Sequence, residues 1–163
     1  MIIQILFSLL LTIHGTKFEK NMYPGQDFDR SAFYEVMKSG GIAKINAELA
    51  TVDAASIKEK DAYGGALLMK KAGSVKKPKD KISYFKAGRI RFQKAFISDS
   101  NNVEYHFLRL AIQEHAPKIV KYHGQLEYDS RYVQQFFKNL SPVARQAVID
   151  YSKTSKVLHP ESL

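Results

Sequence analysis

The chain contains no cysteine and no tryptophan. Without cysteine there can be no disulfide framework, thiolate zinc site, cysteine nucleophile or lipid anchor carried on an N-terminal cysteine. The compartment stays open, because a domain of 163 residues can bury enough core to fold in an oxidising space without disulfides. Other signatures are missing too. There is no G-x-S-x-G, no phosphate-binding P-loop, no dinucleotide fingerprint and no H-E-x-x-H pair. No Asn-Gly or Asp-Gly turn occurs, and the two-residue alternation of a half-buried strand persists nowhere. With 45% apolar and 25% charged residues, the chain has the composition of an ordinary folded domain and not of a disordered one.

The longest apolar run is Met1 to Ile13, interrupted only by Gln4, Ser8 and Thr12. A membrane-spanning helix needs about 20 such residues, whereas the apolar region of a secretory signal has about 7–15. Residues 1–15 therefore read as a signal peptide, with Gly15 as the small residue before the cut and Ile13 two positions ahead of it. No Lys or Arg precedes the run, and its alternative is a buried N-terminal helix of the domain. Export to a periplasmic or extracellular space is the expectation; an uncleaved run would place the chain in the cytoplasm.

Residues 16–28, with Pro24-Gly25, read as an extended lead-in. A single all-helical domain is expected over 29–155, followed by a frayed tail over 156–163. Its first helix starts at Asp29 or Ser31 and stops at Gly40-Gly41. Ile42, Ile45, Leu49 and Val52 mark one face of a second. Ser56 and Glu59 have the spacing of a capping box opening a third, with Gly64-Gly65 inside it. Two mid-helix glycines cost about 2 kcal/mol against alanines, which close approach of a neighbouring helix would explain. Pro78 suits the first turn of a fourth helix reaching Ser98, with Phe85, Gly88, Phe92, Ala95 and Phe96 on one stripe. A fifth runs from Val103 to before Pro117, with Val103, Phe107, Leu110, Ala111 and Glu114 along one side. A short helix over Pro117–His123, one capped by Ser130, and a last one opened by Ser141-Pro142 complete about seven.

Within this all-α pattern, Gly88, Phe92, Ala95, Asp99, Asn101, Asn102 and Glu104 resemble the junction between tetratricopeptide repeats. The resemblance covers about residues 85–113, with Ser100 where the family usually has proline and no second copy at a spacing of 34. It implies stacked antiparallel helical hairpins, in which small residues permit close approach and the aromatic fills the groove between repeats. An irregular helical bundle is the alternative arrangement. Such families are usually scaffolds for protein–protein interaction, so a protein partner is what the resemblance implies.

Candidate chemistry is sparse. His106, His115 and His123 are spaced by nine and eight residues, which places no two on one helical turn, and they read as surface or half-buried side chains. Glu114, His115 and His123 around Pro117 are conceivable metal ligands, and Glu127 with Asp129 a conceivable carboxylate pair or a solvated turn. Neither compels a metal or cofactor, and none is expected. Charge says more. Residues 70–94 hold ten basic side chains against Asp80, a net +9 equal to that of the whole chain. Lys76, Lys77, Lys79, Lys81, Lys86, Arg89 and Arg91 are the candidate partner-binding residues, with Tyr84, Phe85 and Phe92 interleaved. Three functions follow in order: a non-catalytic exported interaction module; a basic helical protein gripping nucleic acid or another anionic surface through this segment; and an enzyme with an unfamiliar helical site, needing a deep pocket with His115 or His123 beside a carboxylate. N-terminal sequencing of the native protein is expected to begin near Thr16; an intact Met1 contradicts export.

Overall fold

The computed structural model describes residues 28–117 and 120–163, so the expected leader and all of the lead-in but Phe28 lie outside the described residues. Among the described residues there are seven α-helices and no strand: α1 (Arg30–Ser39), α2 (Ile42–Ala54), α3 (Lys60–Ser74), α4 (Pro78–Ser98), α5 (Val103–His115), α6 (Leu126–Phe136) and α7 (Pro142–Ser152). The all-α class is as expected from the sequence. No helix among them is long and apolar enough to cross a membrane.

Local chemistry sets most of the boundaries. The Asp29 carboxylate accepts the orphan N–H groups of Ser31 and Ala32 at 2.9 and 3.2 Å, and opens α1. Asn102 does the same for Glu104 and Tyr105 at the start of α5, while its own amide donates to Asp99. Ser141 caps α7 through Ala144, and Pro78 and Pro142 occupy first turns where no N–H is missed.

Other boundaries differ from expectation. Ser56 and Glu59 form no capping box: α3 starts one residue after Glu59, whose carboxylate instead binds Arg30 at 3.0 Å. Ser130 caps nothing. It lies buried within α6 and donates to the Val157 carbonyl at 2.6 Å, so the helix begins four residues earlier. The Pro117–His123 helix falls partly outside the described residues. The tail is docked, not frayed: Leu158 is 0% exposed within the core, and a 3₁₀ turn spans Pro160–Ser162. α5 is buried on all sides from Val103 to Leu110, where a single apolar stripe was expected.

That burial makes α5 the central post. One apolar cluster gathers Phe33, Ile45, Tyr63, Leu67, Phe92 and Tyr105 from α1 to α5. A second gathers Phe107, Leu110, Val133, Ala144, Val148 and Leu158 from α5, α6, α7 and the tail.

The paired glycines are explained by packing. A Cβ at Gly65 would lie 2.8 Å from the Gly88 carbonyl oxygen and 2.6 Å from the Phe92 nitrogen, and one at Gly88 would lie 2.6 Å from the Gly65 carbonyl oxygen. α3 and α4 thus meet backbone to backbone, which only glycine permits. Gly65→Ala and Gly88→Ala are each expected to destabilise the protein by about 1–3 kcal/mol in urea unfolding, although alanine is the better helix former by about 1 kcal/mol. Gly73→Ala, with nothing within 4 Å of its Cβ position, is expected to be neutral or stabilising. A stabilised Gly65→Ala protein would contradict the close crossing.

Candidate functional site

A groove of about 680 Å³ is bordered by α1, the end of α3, the start of α4, α5 and α7. A space of this size suits a ligand or an inserted segment. Its walls are apolar, with Met37 from α1, Met69 and Ala72 from α3, Phe85 from α4, Leu108 and Ile112 from α5, and Ala147 from α7. Aromatic rings run along its base. Phe107 sits between Tyr34, at 6.0 Å between ring centres, and Tyr151, at 5.5 Å.

Both tyrosine hydroxyls are tied up by buried or half-buried carboxylates. Tyr34 Oη donates to Glu104 Oε1 at 2.7 Å, and Tyr63 Oη donates to the same oxygen at 2.8 Å. Arg30 Nε donates to Tyr63 Oη at 2.7 Å, and its guanidinium lies 3.7 Å from the second Glu104 oxygen. Burial, and then the neighbouring Glu104 charge, push the Tyr34 and Tyr63 phenols well above their ordinary range. Across the groove, Glu114 accepts from Tyr151 Oη, from Ser155 Oγ at 2.7 Å and from the Lys156 backbone N–H. Desolvation opposes its ionisation, but these three donors outweigh that and hold the carboxyl below the usual carboxylate value. Because Glu104 and Glu114 occupy the hydroxyls, Tyr34 and Tyr151 offer the groove ring surface with little polar character.

The rim is cationic. Lys38, Lys70 and Lys81 border the groove with His115, against Glu35 and Asp150. Asp150 is already paired with Lys153 at 2.7 Å. Partial burial alone lowers the Lys70 ammonium below its ordinary value, so it gains from an anion that enters the groove.

The sequence-predicted residues are divided by this geometry. Lys76 and Lys77 lie exposed in the α3–α4 turn, and Lys79, Lys81, Lys86 and Arg89 lie exposed on α4, Lys81 on the groove rim. Arg91 turns the other way. It is half-buried over Gly64 and ion-paired with Asp53 at 2.7 Å and Asp61 at 3.1 Å, so it belongs to the frame. Tyr84, Phe85 and Phe92 do not interleave with the basic surface: Phe85 and Phe92 are core residues, and the Tyr84 ring is covered by the Lys71 ammonium at 4.2 Å. Gly88, Phe92 and Ala95 pack inward, Asp99 holds Lys58 at 2.8 Å, Asn102 caps α5, and the exposed Asn101 accepts Tyr132 Oη through its carbonyl at 3.2 Å.

Two expectations about polar residues are corrected. His106 is only 1% exposed and Asp129 is 0% exposed, where a surface or half-buried histidine and a carboxylate paired with Glu127 or lying in a solvated turn were expected. Asp129 accepts from Arg109 at 2.7 and 2.6 Å and shares a 2.7 Å hydrogen bond with His106 Nδ1. Arg109 also lies 3.8 Å over the Phe96 ring, so the cluster clamps α6 onto α5. Among the described residues no group of three His, Asp or Glu side chains is arranged to hold a metal ion. His115 borders the groove, while its chain neighbour Glu114 is held by Tyr151, Ser155 and the Lys156 backbone. Compared with known proteins, the chain matches no family model, no curated protein and no solved structure.

The Glu114 anchor is open to test through pH. A carboxyl held below its ordinary value adds stability that is complete above about pH 4.5 and is lost as pH falls through the lowered value. Glu114→Gln is expected to flatten that acid limb, to cost about 1–3 kcal/mol at neutral pH, and to expose the segment after Ser152 to proteolysis. An unchanged acid limb and an intact tail would contradict the anchor.

Proposed function

We propose that the protein is a non-catalytic, exported helical interaction module whose groove receives an amphipathic, acidic segment of a partner protein. The observation that carries this is the pairing of apolar, hydroxyl-masked walls with a Lys38, Lys70 and Lys81 rim. An apolar helix face fills the walls, and acids at its flank meet the lysines; recognition of a helix in a groove works in this way elsewhere. The sequence resemblance of residues 85–113 to a tetratricopeptide junction is a second reason for proposing a scaffold role. Nucleic acid fits less well. Stacking on bases needs exposed aromatics, and Phe85 and Phe92 of the basic segment are buried.

The test is a titration of isotope-labelled protein with a panel of acidic amphipathic helical peptides, followed by amide shifts. Shifts are expected at Met37, Ile112 and Ala147, with micromolar affinity. Ala111→Trp, which fills the groove, is expected to weaken binding at least tenfold. Affinity is expected to decline as pH rises through the lowered Lys70 value, because the ammonium loses its charge, and Lys70→Met is expected to remove that step. Peptides that shift none of these residues, or that bind Ala111→Trp unchanged, would overturn the proposal.

A further inference from the structure

Beyond Ile82, which also borders the groove, the outward side of α4 lies apart from it. With about 100° of turn per residue, Lys79, Ile82, Lys86, Arg89, Ile90, Gln93 and Ile97 fall within one arc of about 100°. All seven are exposed, and the isoleucines strongly so: Ile82 by 57%, Ile90 by 63% and Ile97 by 72%. Single exposed apolar residues are ordinary. Three in a line along about 22 Å of one helix, separated only by cations and one glutamine, are not. The arc holds no acid; Asp80 lies on α4 outside it, and of the other nearby acids Asp61 is held by Arg91 and Lys94, and Asp99 by Lys58. Among the described residues, Lys79, Lys86 and Arg89 have no acidic partner within 4 Å; Arg89 only leans on the Tyr122 ring at 5.1 Å. Lys76 and Lys77 extend the positive charge beyond the helix N-terminus.

Chemistry of the arc separates its possible occupants. A second copy laid face to face would set Lys86 and Arg89 against their own equivalents, with no acid to offset them. Nucleic acid would meet isoleucines, which neither stack on a base nor hydrogen-bond to it. A layer with anionic groups outside and hydrocarbon just beneath satisfies both components at once. We infer that α4 is a membrane-surface element: it lies flat on a bilayer rich in anionic phospholipid, with Ile82, Ile90 and Ile97 sunk to the acyl boundary and Lys79, Lys86 and Arg89 at the headgroups. The assignment does not rest on the groove, because Lys86, Arg89, Ile90 and Ile97 do not border it. Gly65 and Gly88 fix α4 by its opposite side, so the isoleucine side is presented without any rearrangement.

The experiment is flotation of the full chain with vesicles of 30% phosphatidylglycerol in phosphatidylcholine, against phosphatidylcholine alone. The substitutions are all at exposed positions, and thermal unfolding before flotation verifies that they leave the fold intact. Each cation near an anionic surface is worth about a fivefold change in partitioning, so Lys86→Gln with Arg89→Gln is expected to weaken binding roughly 25-fold. Ile90→Ser with Ile97→Ser is expected to weaken it at least tenfold while leaving the melting temperature unchanged. Since the chain has no cysteine, Ile90→Cys and Ile97→Cys take a polarity-sensitive dye at one site each. Both are expected to shift to the blue on anionic vesicles, whereas the same dye on Asn46→Cys, on α2, is not. The inference is overturned if the double variants float like the native chain, which would assign binding elsewhere, including to residues 1–13. It is also overturned by equal binding to both vesicle types, by no binding to either, by self-association that Ile90→Ser abolishes, or by oligonucleotide retention that the cation variant loses while its flotation is unchanged.

Discussion

The backbone contact between α3 and α4 at Gly65 and Gly88 is the constraint on which the rest of the structure depends. Two hydrogens where side chains would otherwise stand let the helices touch along their main chains. At that distance the Phe85, Phe92, Ala95 and Phe96 side of α4 enters the core. The same contact places Arg91 over Gly64, where Asp53 and Asp61 hold it. Once that side is committed, the remaining arc of α4, with its isoleucines and lysines, is left facing outward. The start of α4 also supplies Ile82 and Phe85 to the groove, so one crossing sets both surfaces.

Buried polar groups do the remaining positioning. Glu104 gathers Arg30, Tyr34 and Tyr63, joining α1, α3 and α5 through one carboxylate. Glu114 draws in Tyr151 and the chain after it, and Asp129 ties α6 to α5 through Arg109 and His106. A buried carboxylate is costly unless its oxygens are met, and each of these is met by two or more donors. The groove owes its apolar character to this: its two tyrosines are turned into hydrocarbon surface by acids behind them.

Much of the helix framework was legible in the sequence, and for a local reason. Asp29, Pro78, Asn102 and Ser141-Pro142 act on residues two or three positions away, so spacing alone reveals them. The glycine pair was legible as an anomaly that demanded a neighbour. Long-range partners were not. Tyr34 and Glu104 are 70 residues apart and Tyr151 and Glu114 are 37 apart, and no local pattern marks either pair. Glu59 shows how a local signal is overridden: its spacing to Ser56 suits a capping box, but the Arg30 guanidinium of another helix offers it a full charge. The basic segment was found as a stretch of sequence, and only the fold separates Arg91, which is structural, from Lys79, Lys86 and Arg89, which face outward. The groove combines five helices and left no trace in any one of them.

The Gly65–Gly88 crossing fixes α4 by one side and presents the other. Thiol reactivity of single cysteines along that helix measures it directly, since the native chain contributes none. Ala95→Cys, on the buried side, is predicted to react with a water-soluble thiol reagent at least a hundredfold more slowly than the unfolded chain, opening only with the fold (about 1.4 kcal/mol for each tenfold). Ile97→Cys, two residues on, is predicted to react at nearly the unfolded rate. Equal reactivity at the two positions would contradict a helix committed by the Gly65–Gly88 crossing.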